Sequence, residues 1–159
     1  MVDKQEHILQ KLAQCPEIFP QVLLLEGIRG IGKCDLAKNL VTTLMHHDGQ
    51  EDVAEFVASA SHPDYLLVQC TDEKRFMNTE KIQEVTDFVC KSAVMGRYKY
   101  VIIDALDSVH YTARDAILKV LENAELVFFF VLAHSSNSCL LYTSPSPRDR
   151  TRSRMPSSA

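Results

Sequence analysis

Four short stretches of the chain, at 22–25, 65–68, 100–103 and 127–132, are apolar without a break, and between them apolar positions recur at helical spacing. A short continuous apolar run suits a strand covered on both faces, as in a parallel sheet; a strand with one wet face would alternate. Leu36, Leu40 and Leu44 lie four apart, Ile82, Val85 and Val89 three and four apart, and Ile117, Val120 and Leu121 fall on one helical face. Each set lays an apolar stripe along a helix. An amphipathic helix is expected over 4–14, closed by Cys15-Pro16, and a short one over 53–58, before the break at Ser61-His62-Pro63. Thr112, followed three residues on by Asp115, reads as a capping box opening the last helix, with Lys119 toward its end, where the helix dipole favours a cation. Strands alternating with helices predict an α/β fold with a parallel sheet.

Composition fits one such domain. The chain has 159 residues, 46% hydrophobic and 24% charged, which is ordinary globular usage. The formal net charge is −4, but residues 139–159 carry four arginines against one aspartate, leaving the rest at −7. A body that acidic disfavours non-specific binding along a phosphate backbone. The five cysteines, at 15, 34, 70, 90 and 139, form no C-x-x-C pair, and the N-terminal MVDKQEHILQ has no signal-peptide apolar region. No apolar run nears the roughly 18–20 residues that a membrane helix needs. These features predict a soluble protein of the reducing cytosol without a membrane partner.

The strongest chemical signal is GIRGIGKC, between the first predicted strand and a helix. That is the context of a P-loop, where backbone N–H groups and a helix N-terminus cradle phosphate and a lysine adds a point charge. Gly27, Arg29, Gly30, Ile31, Gly32, Lys33 and Cys34 therefore form a candidate nucleotide site, joined by Asp104, which ends the apolar strand of YVIIDALD. The bland alternative is a glycine-rich turn with a surface lysine. Two positions depart from a hydrolytic site. Cys34 stands where a Ser or Thr hydroxyl would ligate Mg²⁺, and a soft thiol is a poor ligand for a hard cation. Ala105 follows Asp104 where a glutamate would orient the attacking water, and Asp107 more readily caps the following turn. No catalytic residue is therefore assigned. ATP or ADP is expected to bind weakly, with Mg²⁺ weak or absent, and Cys34→Thr is expected to improve magnesium-dependent binding.

Taken in order, the P-loop, SHPDYLLVQ, the strand ending in Asp104-Ala105, and ARDAILKVLENAELVFFFVLAHSSNS resemble the delta-prime family of bacterial DNA polymerase III clamp-loader subunits, a branch of AAA+. The His62-Pro63-Asp64 triplet and the run from Ala113 to Glu122 carry most of that likeness, which covers most of 20–138. The resemblance implies an AAA+ base domain, a parallel-sheet P-loop NTPase fold, here incomplete and lacking its last strand, lid and collar. It implies a clamp-loader subunit that acts as a largely non-hydrolysing stator in a hetero-oligomeric ring. Its partners would be other clamp-loader subunits, with the sliding clamp and primer–template DNA reached through the assembly. His134, after the last predicted strand, falls where AAA+ proteins place a residue that touches the γ-phosphate, and it reads equally as a solvated loop histidine.

Several positions depart from the family pattern. Asn123-Ala124-Glu125 replaces the usual Glu-Pro-Pro, which leaves that turn unsettled. Many members carry four cysteines in a zinc module before the His-Pro-Asp triplet, but 45–61 has none, and His46, His47 and His62 read as surface residues without zinc. A competing function is an AAA+ ATPase with slow hydrolysis, a motor-type subunit using Lys33 and Asp104. A P-loop kinase is less favoured, because Arg29, Arg75, Arg97 and Arg114 are scattered rather than gathered into a lid.

Residues 139–159 stand apart, being rich in Ser, Pro and Arg without hydrophobic period. CLLYTSPSPRD, followed after three residues by SRMPSSA, resembles the conceptual translation of a transposase-type sequencing-library adapter. The segment is therefore expected to be non-native and disordered, with 1–138 as the domain; the alternative is a basic tail touching DNA. Ser153-Arg154-Met155 is accordingly not taken for the family's Ser-Arg-Cys arginine finger. Without a last strand beside it, 22–25 is expected to be a bare apolar edge prone to aggregation.

Overall fold

The computed structural model describes residues 2–69, 79–104, 111–134 and 141–143. In chain order the elements are α1 (Val2–Ala13), β1 (Val22–Gly27), α2 (Lys33–His47), α3 (Val53–Ala58), β2 (Tyr65–Val68), α4 (Thr79–Cys90), β3 (Lys99–Ile103), α5 (Tyr111–Asn123), β4 (Val127–His134) and β5 (Leu141–Thr143). The sheet runs β2-β3-β4-β1-β5. The first four strands are mutually parallel, as the continuous apolar runs predict, and β5 lies antiparallel to β1.

Alternation along the buried strands sorts side chains into two cores. Tyr100, Ile102, Phe128, Phe130, Leu23 and Leu25 face α1, α2 and α3, meeting Leu9, Phe19, Leu40 and Leu44. Val101, Ile103, Val127 and Phe129 face α4 and α5, meeting Ile82, Val85, Ile117 and Leu121. Both faces of β3 and most of β4 are thus dry, which is why their sequences show no polar alternation. Phe19 meets Phe128 edge-on at 5.9 Å, and burying an aromatic side chain of this size contributes about 1.5–3 kcal/mol.

Five expectations need correction. β4 extends through Ala133 to His134, so His134 ends a strand and does not follow it. α5 begins at Tyr111, so Thr112 lies inside its first turn and is not the cap. His62 is buried at 4% exposure, unlike the exposed His46 and His47, because it packs edge-on against Phe56 and its Nδ1 accepts the Asp64 N–H at 3.1 Å. The edge of β1 is not bare: Leu23, Leu24 and Leu25 pair with Thr143, Tyr142 and Leu141. Of the segment 139–159, only this strand belongs to the described residues. Finally, the turn after α5 is well held without Glu-Pro-Pro. Gln21 Nε2 donates to Ala124 O at 2.5 Å, and Lys99 N donates to Leu126 O at 3.0 Å, with Leu126 at φ +55°.

The His-Pro-Asp triplet has a structural job. Asp64 is fully buried, and its carboxylate accepts the backbone N–H groups of Val94, Met95 and Gly96 at 2.6, 2.7 and 3.0 Å. Asp48 Oδ2 takes the next two, from Arg97 at 2.7 Å and Tyr98 at 3.4 Å. Five consecutive N–H groups between α4 and β3 are thereby satisfied by two side chains. A Cβ on Gly96 would collide with the side chains of Gln50 and Asp48. Lys99 closes the same region: its ammonium donates to Phe88 O and, at 2.8 Å, to Lys91 O, carbonyls at the C-terminal end of α4.

Candidate nucleotide site

The candidate residues meet at the C-terminal ends of adjacent parallel strands, where open α/β sheets bind their ligands. β1 ends at Gly27, and the exposed loop with Ile28, Arg29, Gly30 and Ile31 leads to Gly32, the N-cap of α2. Gly30 and Gly32 hold φ of +83° and +93°, which side chains with a Cβ rarely adopt. Gly32 O accepts the Leu36 N–H at 3.0 Å, so α2 starts at the loop and directs its N-terminal partial charge there.

Lys33 is buried at 7% exposure, so it is not a surface lysine on a glycine turn. Its Nζ donates to Gly27 O and Ile28 O, each at 2.7 Å, which holds the ammonium against the loop's own carbonyls. The next side chain, Cys34, is half-buried and packs against the core on the α2 side. Burial pushes its thiol above the ordinary value of 9.0, and Asp104 and Asp35 push the same way against Lys38 and a hydrogen bond with Gln69. Cys34 is therefore a neutral thiol at neutral pH, and the metal-binding form of cysteine is the thiolate. Lys38 and Gln69, the residue that closes SHPDYLLVQ, are neighbours of this thiol that the sequence alone does not reveal.

Asp104 follows β3 and His134 ends β4 on the next strand, with His134 Nε2 3.5 Å from Asp104 Oδ1. The register pairs Gly27 with His134, so β4 carries the imidazole between the loop and the carboxylate. One small site therefore gathers the loop, Lys33, Cys34, Asp104 and His134. Arg29 is exposed on the loop. Ala105 and Asp107 lie outside the described residues. Among the described residues, no cluster of three or more His, Cys, Asp or Glu side chains could hold a metal ion. A cavity of about 790 Å³ flanked by Lys91, Arg97, Lys99 and Lys119 opens at the other end of the strands, away from this chemistry.

With the geometry of the candidate loop in place, the comparison with known proteins decides the family. Residues 3–151 match the family described as DNA polymerase III, delta subunit. The chain belongs to that family. DNA polymerase III subunit delta′ of Pseudomonas aeruginosa is 26% identical over 106 residues, covering 62% of this chain and 32% of the relative. The aligned part thus spans about a third of that relative, and together the two matches make the chain a delta-prime-like member of the DNA polymerase III delta-subunit family. A crystal structure of a DNA polymerase III gamma subunit-related protein from Thermotoga maritima superposes with a TM-score of 0.60 at 19% identity, over 82% of this chain and 39% of that one. At that identity the likeness speaks for the fold, and it agrees with the four parallel strands. No helix among the described residues is long and apolar enough to cross a membrane.

Proposed function

We propose that the chain serves DNA replication in the cytoplasm as a clamp-loader subunit, a largely non-hydrolysing stator whose degenerate site holds ATP or ADP weakly. Its partners are other clamp-loader subunits in a hetero-oligomeric ring, which turn over ATP and bring the sliding clamp and primer–template DNA to the assembly. Family membership supports the replication role. The observation that carries the nucleotide reading is Lys33, whose ammonium is fixed at the loop by Gly27 O and Ile28 O beside the N-terminus of α2. An anion there meets a lysine charge, a helix N-terminus and a loop with two left-handed glycines.

The residues present do not fit magnesium. A neutral thiol occupies the position of the hydroxyl ligand, and Mg²⁺ prefers near-octahedral oxygen coordination. No hydrolytic step is assigned, because Ala105 offers no carboxylate to orient water. Titration of a fluorescent ADP analogue, followed by anisotropy, tests the site. The wild-type chain binds weakly, and Lys33→Ala, which removes the buried ammonium, abolishes binding. Equal binding by both proteins refutes the assignment of the loop.

A further inference from the structure

We propose that His134 is a second obstacle to magnesium at this site, independent of Cys34, so that the site takes a nucleoside diphosphate or triphosphate as the metal-free anion. The inference rests on the nucleotide-binding reading above. From the sequence, the thiol alone would account for poor magnesium binding, and Cys34→Thr would cure it. The sheet adds a contact that the sequence does not display. Asp104 Oδ1 is buried, makes no hydrogen bond among the described residues and lies 3.5 Å from His134 Nε2.

The strand order explains why the contact is built in. β3 and β4 are in parallel register, Ile103 beside Val131, so their ends deliver Asp104 and His134 side by side. β4 also pairs with β1, placing His134 beside Gly27, whose carbonyl accepts Lys33 Nζ. His134 thus stands on the strand between the phosphate loop and the carboxylate that would steady a hydrated cation.

Magnesium binds through one or two carboxylates and phosphate oxygens while keeping several waters in octahedral order. To serve it, Asp104 would have to turn its oxygens toward that hydration shell. The imidazole at 3.5 Å stands in the way of that turn. With a proton on Nε2 it can close the 3.5 Å gap and donate to the oxygen that magnesium would need, and as the cation it adds a like charge beside the metal. Charge on a bound phosphate is met by Lys33 and the α2 N-terminus.

The test is an equilibrium titration of fluorescent ADP onto four versions of the chain: wild type, Cys34→Thr, His134→Ala and the double variant, each with Mg²⁺ and with EDTA. Magnesium is expected to change the dissociation constant by less than about twofold in the wild type and both single variants, and to tighten it by about tenfold or more in the double variant. Magnesium dependence in the wild type, or in Cys34→Thr alone, overturns the proposal, since the imidazole would then be no obstacle. Its absence from a folded double variant overturns it as well. If the alanine double variant melts early, Cys34→Thr with His134→Asn, which keeps a polar but shorter side chain, carries the same expectation. Failure of every protein to bind ADP in both buffers instead removes the nucleotide reading, and this inference with it.

Discussion

The carboxylate of Asp64 accepts the backbone N–H of Met95 at 2.7 Å, 31 residues further along the chain. Val94 and Gly96 donate to the same buried group, so one side chain organises the entry into β3, the strand that delivers Asp104. The His-Pro-Asp triplet therefore bears on the candidate site through the fold.

Removing that carboxylate leaves three N–H groups without their acceptor. An unsatisfied buried donor costs about 1–3 kcal/mol, and loops rescue part of that with water, so Asp64→Ala is expected to lose about 3–5 kcal/mol. Urea denaturation measures it. A loss under about 1 kcal/mol would mean that the α4–β3 connection is not held by Asp64.

Two helices end in the same hydrogen-bond pattern with different residues at the left-handed position. After α2, Gly49 N donates to His46 O and Gln50 N to Met45 O, with Gly49 at φ +86°. After α3, Ala60 N donates to Val57 O and Ser61 N to Phe56 O, with Ala60 at φ +53°. An L-residue there costs about 1–2 kcal/mol relative to glycine, and the exposed Ala60 side chain has little packing to lose. Ala60→Gly should stabilise the chain by about 1 kcal/mol, visible as a higher melting temperature. An unchanged or lower midpoint would show that the glycine's unfolded-state entropy cancels the gain.

Burial holds the His62 imidazole below its ordinary pKa of 6.5, with nearby Asp64 opposing the shift only in part. The folded chain therefore takes up this proton at lower pH than the unfolded chain does. Stability from the neutral ring is complete above pH 6.5 and is lost as pH falls through that value toward the native pKa. From about pH 7.5 to about pH 5.5, the wild type should lose more stability than His62→Gln, whose side chain does not titrate in that range. Parallel losses in the two proteins would contradict this role.

The layout of strands and helices is legible in the sequence because β3 and β4 are dry on both faces, which leaves an unbroken apolar run. The candidate loop is legible because glycine, lysine and their spacing are local. What escapes depends on distant partners. The acceptors Asp48 and Asp64 bind backbone N–H groups from the α4–β3 loop, and such donors leave no side-chain signature. Burial of His62 is decided by Phe56 and the Asp64 N–H. The end of β4 is obscured because the polar His134 interrupts the apolar run while still pairing with Gly27. The Asp104–His134 contact needs the strand order, since the two residues come from different strands.

Steady-state phosphate release from ATP by the purified chain in Mg²⁺ shows whether the proposed site turns its nucleotide over. Release by the wild type should match a protein-free control and stay unchanged in Lys33→Ala. Turnover above that control that disappears with Lys33→Ala would make the chain an ATPase and rule out a non-hydrolysing stator.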